Sequence, residues 1–110
     1  MSDFVSIAKV DDFREGKIRR YFVGGKEIGV VLWEDQWHAF SNRCTHNDFQ
    51  MHFGYIEDDQ VHCPIHMAAY ALMTGKVTQG PQFIDDLPIY EVRVEGDEVQ
   101  VSIAPLSTVE

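Results

Sequence analysis

Cysteine is scarce in this chain of 110 residues, which contains only Cys44 and Cys63. A small secreted domain stapled by disulfides needs more cysteines, so the sequence argues against that class of protein. The sequence also lacks an uninterrupted apolar run of about 18 residues, the length that a membrane-spanning helix requires. Its first residues contain no basic segment followed by an apolar one. We therefore expect no secretion signal, no membrane association and a cytoplasmic location.

Basic residues are also few, and their scarcity is confined to one part of the chain. Residues 1–43 contain seven basic and seven acidic side chains, whereas residues 44–110 contain two basic and eleven acidic ones. The second part therefore carries the whole net charge of −9. Nucleic acid is a disfavoured partner because its phosphates need the opposite charge, whereas a basic protein surface would be attracted. Alternatively, the acidic residues only keep a small protein in solution.

No amphipathic helix of three turns is visible, and the sequence contains no repeat. Short apolar runs between glycine-containing turns instead predict strands. The clearest hairpin spans residues 89–103 and turns at Gly96-Asp97, since valines alternate on both sides. A second hairpin spans residues 18–33 with its turn at Gly24-Gly25, and a turn at Asp35-Gln36 is expected to precede a further strand. The pattern predicts one all-β domain, a sandwich or a barrel.

The segment from 42 to 81 differs from the rest of the chain. It is rich in His, Cys, Gly and Met and has weak strand signals, which predicts loops carried on the β-scaffold. Both cysteines fall within it, in the pattern Cys44-Thr45-His46, sixteen residues, then Cys63-Pro64-Ile65-His66. Each half supplies one thiolate and one imidazole. Such a ligand set suits zinc or an iron–sulfur centre.

This pattern resembles the motif of the Rieske proteins, which is Cys-x-His, about 16 or 17 residues, and Cys-x-x-His. The resemblance implies a Rieske fold, with an antiparallel β-sandwich or barrel base at about residues 1–41 and 82–110. A small cluster-binding subdomain is expected to be inserted at about residues 42–81. The implied cofactor is one [2Fe–2S] cluster, which in this family is held by two cysteines on one iron and two histidines on the other. The corresponding residues here are Cys44, Cys63, His46 and His66.

Further residues narrow the subfamily. Rieske subunits of quinol-oxidising complexes carry two extra cysteines and a serine two residues after the second histidine, where this chain has Ala68. The chain is more similar to the small ferredoxins of bacterial aromatic-ring-hydroxylating dioxygenases, several of which have methionine at the position of Met67. Tyr70 departs from their frequent phenylalanine. The resemblance thus implies a monomeric one-electron carrier, not an enzyme, which forms transient complexes with a flavoprotein ferredoxin reductase and a terminal oxygenase.

The ligand set also implies a redox behaviour. Two neutral imidazoles in place of two thiolates make the site less negative, so Rieske potentials lie at roughly −150 to +300 mV. Because Ala68 offers no hydroxyl and the chain lacks the two extra cysteines, which form a disulfide in the quinol-oxidising subunits, we predict a potential at the low end of that range. The potential is expected to fall as pH rises through the pKa values of the imidazoles. Several acidic residues are expected to contribute to a docking rim: Asp48, Asp58, Asp59, Asp85 and Asp86.

Alternatives to the ferredoxin assignment stay open at this point. The chain could be the Rieske-like small subunit or ferredoxin of another redox enzyme, such as a nitrite reductase. Two cysteines and two histidines could also hold zinc in a binding module without a redox role, or the cysteines could form a disulfide. Surface or packing roles are expected for the other histidines, His38, His52 and His62. Four aromatic residues are expected in the core: Trp33, Trp37, Phe40 and Tyr55. Three methionines are expected to pack in the core or to shield the cluster: Met51, Met67 and Met73.

Overall fold

Two antiparallel sheets form the structure, a computed structural model that describes residues 4–43, 50–63, 68–80 and 86–105. The predicted all-β class is confirmed, since the described residues form strands, turns and two short 3₁₀ segments, and no α-helix. The strands are β1 (Phe4–Lys9), β2 (Arg19–Val23), β3 (Lys26–Trp33), β4 (Gln36–Ser41), β5 (Tyr55–Glu57), β6 (Gln60–His62), β7 (Ala69–Ala71), β8 (Val77–Gln79), β9 (Ile89–Glu95) and β10 (Glu98–Pro105). Within these ranges, no helix has the length and apolar character needed to cross a bilayer.

The larger sheet has six strands in the order β1-β10-β9-β4-β3-β2. Its two outer strands come into contact, so the sheet is nearly closed into a barrel. The predicted β9–β10 hairpin is confirmed in its register, with Val92 opposite Val101 and Val94 opposite Val99. Val99 and Val101 are fully buried in the barrel core. Alternation of valine with polar residues therefore sets which face of this hairpin points inward.

The turn between β3 and β4 lies one residue earlier than predicted. Its two central residues are Glu34 and Asp35, with φ angles of 51° and 65°, and Trp33 pairs with Gln36. The prediction of Asp35-Gln36 was therefore wrong. A two-residue hairpin turn of this type needs two left-handed residues, a requirement that glycine marks clearly at Gly24-Gly25 but that Glu34 does not.

The smaller sheet, in the order β5-β6-β7-β8, occupies a region for which the sequence predicted loops. Each of its strands has only three residues, too short for alternation to be recognised. One buried cluster joins the two sheets, with Val31 and Phe40 from the larger sheet packing with Val61 and Tyr70 from the smaller one. The division into a base and a cluster-binding subdomain stays a prediction.

Candidate cluster-binding site

The second predicted ligand segment starts at a buried cysteine. Cys63 directly follows β6 and is 2% exposed. Its backbone N–H donates to the carbonyl of Ala68 at 2.8 Å, which continues the β6–β7 ladder and closes the hairpin on both sides of residues 64–67. His66 lies outside the described residues. The fold therefore fixes both ends of the segment that carries His66.

The first predicted ligand segment is closed in a similar way. Cys44 and His46 lie outside the described residues, but the residues on either side, Arg43 and Gln50, pair as an antiparallel bridge. The N–H of Met51 donates to the carbonyl of Asn42 at 2.7 Å, one step further from the segment. Residues 44–49 therefore begin and end at one point of the scaffold.

The pairings at the ends of the two ligand segments rest on one core. Met51, which pairs with Asn42 beside the first segment, belongs to the same buried cluster as Cys63 and Ala68, which pair beside the second. Gly54 lies so close to the carbonyl oxygen of His62 that a Cβ atom there would overlap it. Two segments that each carry one cysteine and one histidine thus start from neighbouring points, and one thiol is already among apolar side chains. This arrangement fits a cluster held between two facing loops.

Two other residues singled out in the sequence lie at the start of β7. Ala68 and Tyr70 are fully buried, in the same cluster as Cys63. A methyl group thus stands at the position where quinol-oxidising relatives have a hydroxyl. Among the residues that the structure describes, Tyr70 has the largest fully buried side chain, so it contributes to the packing between the sheets.

Sequence reasoning missed a polar network beside the first ligand segment. Asn42 is fully buried, and its Nδ2 donates to Glu27 Oε2 at 2.8 Å. The other carboxylate oxygen of Glu27 accepts from Arg43 Nε at 2.9 Å. Arg20 Nη1 donates to Gln50 Oε1 at 3.0 Å and lies 3.9 Å from the carboxylate. The network connects strands β2 and β3 to both ends of residues 44–49.

The protonation states in this network follow from its contacts. Burial raises the pKa of Glu27, but the hydrogen bonds from Asn42 and Arg43 and the charges of Arg43 and Arg20 outweigh it, so its pKa is lowered overall. For His52, by contrast, burial is the main cause of a lowered pKa. The charge of Arg20 lowers this pKa further, whereas the charge of Glu27 opposes the shift. A carboxylate and a neutral imidazole therefore flank the amide of Asn42 at neutral pH.

The residues expected on an acidic docking rim are dispersed. Asp58 and Asp59 form the β5–β6 turn, at the end of β6 opposite Cys63. Asp86 Oδ1 accepts from the backbone N–H of Val77 at 3.0 Å, so this carboxylate has a role within the fold. Asp48 and Asp85 lie outside the described residues. The docking rim stays a prediction.

Two packing predictions were wrong. Tyr55 is 50% exposed and stacks on His62 at a ring separation of 4.7 Å, because it lies on the opposite face of β5 from Ile56, which packs against the core. Met73 is 66% exposed in the turn after β7, so it covers no core. Phe40 and Met51 are buried as predicted. Met67 lies outside the described residues.

A cavity of about 200 Å³ lies where the turns of the two sheets meet, away from the ligand segments. Trp33 and Asp59 both line it, and Trp33 Nε1 donates to Asp59 Oδ1 at 2.7 Å. His38 lines the same cavity, and burial lowers its pKa although a hydrogen bond to the Leu72 backbone and the charge of Asp59 oppose this. The bond between Trp33 and Asp59 connects the two sheets at this end.

Comparison with known proteins identifies the family. The family profile of the Rieske [2Fe–2S] domain matches residues 3–99. The ferredoxin component of the naphthalene 1,2-dioxygenase/salicylate 5-hydroxylase systems of a Ralstonia species is 31% identical over 101 residues, 92% of this chain and 96% of the relative.

Solved structures show the same fold. One is a complex of reduced oxygenase and oxidised ferredoxin in carbazole 1,9a-dioxygenase, with a TM-score of 0.85, 29% identity and 97% of each chain covered. Another is a nitrite reductase small subunit from Mycobacterium tuberculosis, described as putative and NADH-dependent, with a TM-score of 0.84, 22% identity, and 93% and 96% of the two chains covered. At that identity the second likeness concerns the fold alone.

The chain belongs to the Rieske [2Fe–2S] family. Its predicted fold, its cofactor and its nature as an electron-carrying ferredoxin rather than a catalytic subunit are confirmed. The zinc and disulfide alternatives are set aside, because the cofactor of the family is an iron–sulfur cluster.

Proposed function

We propose that this Rieske protein works in the cytoplasm as the ferredoxin component of an aromatic-ring-hydroxylating oxygenase system. It receives one electron at a time from a reductase and passes it to a terminal oxygenase. The observation that carries this assignment is the likeness, over nearly the whole chain, to a dioxygenase ferredoxin component and to a ferredoxin in complex with an oxygenase. The net charge of −9 supports partners with basic docking surfaces.

Cys44 and Cys63 are the proposed ligands of one iron, and His46 and His66 of the other. When bound, the cluster takes up and releases a single electron. The burial of Cys63 supports its role, since an apolar surrounding keeps water away from the thiolate side of the site. The closure of both ligand segments on one core supports pairing of their ligands.

Electron paramagnetic resonance of the dithionite-reduced protein tests the ligand set. We expect a rhombic signal whose average g-value lies below that of all-cysteine [2Fe–2S] ferredoxins. The variant His66→Gln should lose this signal. The matched variant His62→Gln should keep it, because the ring of His62 stacks on the exposed ring of Tyr55, on the face of the smaller sheet that points away from the core. A normal signal in His66→Gln would contradict the assignment.

Reconstitution tests the partners. The protein is mixed with a ferredoxin reductase, NADH and a ring-hydroxylating oxygenase, and product formation is measured with and without the ferredoxin. We expect turnover only when the ferredoxin is present, and none with a His66→Gln ferredoxin. Support of a nitrite reductase large subunit but of no ring-hydroxylating oxygenase would instead favour the nitrite reductase alternative.

A further inference from the structure

We propose, on the basis of the ligand set proposed above, that Glu27 and Asn42 are positioning residues for the first ligand segment. Their buried pair fixes the point at which residues 44–49 leave the β-scaffold and return to it. Both residues act through that segment. Their loss should therefore loosen the hold on the cluster more than it weakens the fold.

Asn42 binds the chain on both sides of the segment. Its backbone N–H donates to the carbonyl of Glu27 at 3.0 Å, which continues the β3–β4 ladder. Its carbonyl accepts from Met51 N–H at 2.7 Å, and its side-chain Oδ1 accepts from His52 N–H at 2.7 Å. Two residues beyond the segment are thus held by one residue before it.

The orientation of the Asn42 amide is determined by its partners. Because Oδ1 accepts from the backbone of His52, Nδ2 must face acceptors, and it meets Glu27 Oε2 at 2.8 Å and His52 Nδ1 at 3.0 Å. A carboxylate is the strongest acceptor available to an amide N–H. Glu27 therefore locks the rotamer through which Asn42 holds His52.

Glu27 also couples the two ends of the segment electrostatically. Its side chain is only 8% exposed, and it accepts from Nε of Arg43, the residue that directly precedes Cys44. Arg20 lies between the carboxylate and Gln50, the residue directly after the segment. Removing the carboxylate leaves the fully buried amide of Asn42 without its acceptor, whereas the half-exposed guanidinium groups of Arg43 and Arg20 can bind water instead.

The substitution Glu27→Gln tests the role of the carboxylate with little change in shape. A glutamine has one acceptor oxygen, so its NH₂ group must face a donor, either Arg43 Nε or Asn42 Nδ2. We expect release of the cluster to an iron chelator to accelerate roughly tenfold or more, as for a buried donor left unpaired. The EPR lines should broaden and the midpoint potential should shift, because the ligands sample more geometries.

Two matched variants separate positioning from general effects. Glu91→Gln removes a carboxylate from an exposed site on β9, so it controls for net charge. Val101→Ala removes buried methyl groups from the barrel core, so it lowers stability away from the ligand segments. Release rates are compared at temperatures equally far below the unfolding midpoint of each variant. Under these conditions Glu27→Gln should release its cluster several-fold faster than Val101→Ala. Equal release rates and unchanged EPR lines would overturn the positioning role.

A swap of the two groups provides a rescue. Asn42→Asp alone places two carboxylates side by side and should release the cluster as fast as Glu27→Gln or faster. In the double variant Glu27→Gln, Asn42→Asp, the amide donates to the carboxylate in the opposite direction while the net charge is kept. We expect release to slow several-fold relative to either single variant. A double variant that is as fast as both single changes combined would contradict a specific pair.

Failure of this inference differs from failure of the proposed ligand set. If Cys44 and His46 are not ligands, Cys44→Ser and His46→Gln leave the wild-type EPR signal intact. If only the positioning role is wrong, those two variants lose the signal while Glu27→Gln behaves like Glu91→Gln.

Discussion

Replacement of Gly54 by alanine should damage the cluster site although the backbone there has an ordinary conformation. Its φ is −83°, a value that any residue adopts. An added Cβ atom would, however, overlap the carbonyl oxygen of His62 and lie 3.1 Å from that of Met51. Both contacts are with backbone, so no flexible side chain can move away. The β5–β6 pairing, in which Tyr55 lies opposite His62, must therefore shift just before Cys63.

The size of the effect follows from a comparison with Gly25. Gly25 has a φ of +80° in the β2–β3 turn, and a Cβ atom there would meet nothing within 4 Å. Gly25→Ala therefore carries only the left-handed backbone cost of about 1–2 kcal/mol. Gly54→Ala carries no such cost, but overpacking against backbone costs typically about 1–3 kcal/mol, and broken ladder hydrogen bonds add about 1 kcal/mol each.

Thermal unfolding followed by circular dichroism, with the visible absorption of the cluster read in parallel, distinguishes the two variants. For a domain of about 100 residues, 1 kcal/mol corresponds to roughly 4–8 °C. We expect Gly25→Ala to lose roughly 4–16 °C and keep full cluster content, and Gly54→Ala, which loses about 2–5 kcal/mol, to lose roughly 8–40 °C and retain less cluster. Similar midpoints and equal cluster content in the two variants would refute the close approach of Gly54 to His62.

Three further predictions concern the residues that line the cavity, His38, Trp33 and Asp59, and the net charge of the protein. Because burial holds the pKa of His38 below its ordinary 6.5, the neutral ring stabilises the fold above that pH, and this stability is lost as pH falls through the lower folded value. Acidification from pH 7 should thus lower the unfolding midpoint more for the wild type than for His38→Gln; equal losses would contradict this. Trp33→Phe removes the 2.7 Å bond to Asp59 and should cost about 0.5–1.5 kcal/mol in urea unfolding, whereas Asp59→Asn, which keeps an acceptor, should cost less. Electron transfer to a basic partner should slow as ionic strength rises from roughly 0.01 to 0.15 M, because the Debye length falls from about 30 to about 8 Å; a rate independent of salt would argue against charge-steered docking.

Much of the fold could be predicted from local patterns. The valines of β9 and β10 alternate over enough residues to fix both the hairpin and its inward face, and Gly24-Gly25 marks the turn of the β2–β3 hairpin by composition. The ligand motif is equally local within each half. The smaller sheet could not be predicted, since three-residue strands such as β6 show no period and acquire their structure from the core around Val61.

The exposure of Tyr55 shows a different limit of the sequence. An aromatic residue in a short apolar run is typical of a core position, but Tyr55 lies on the outer face of the smaller sheet, opposite to Ile56, which packs against the core. Alternation along the strand decides that only one of the two residues points inward. In a strand of three residues, the local sequence does not show which face meets the core.

The pair formed by Glu27 and Asn42 could not be predicted from the sequence, because its register depends on the position of a single turn. In an antiparallel hairpin, the turn fixes the partner of every residue, so moving the turn by one residue shifts each pairing by two. With the predicted turn at Asp35-Gln36, Glu27 would stand opposite Cys44; with the observed turn at Glu34-Asp35, it stands beside Asn42, whose N–H binds its carbonyl. A carboxylate next to a cluster thiolate would add negative charge where the cluster must accept an electron. The two left-handed residues of the β3–β4 turn therefore determine that this carboxylate pairs with Asn42, two residues before the proposed ligand Cys44.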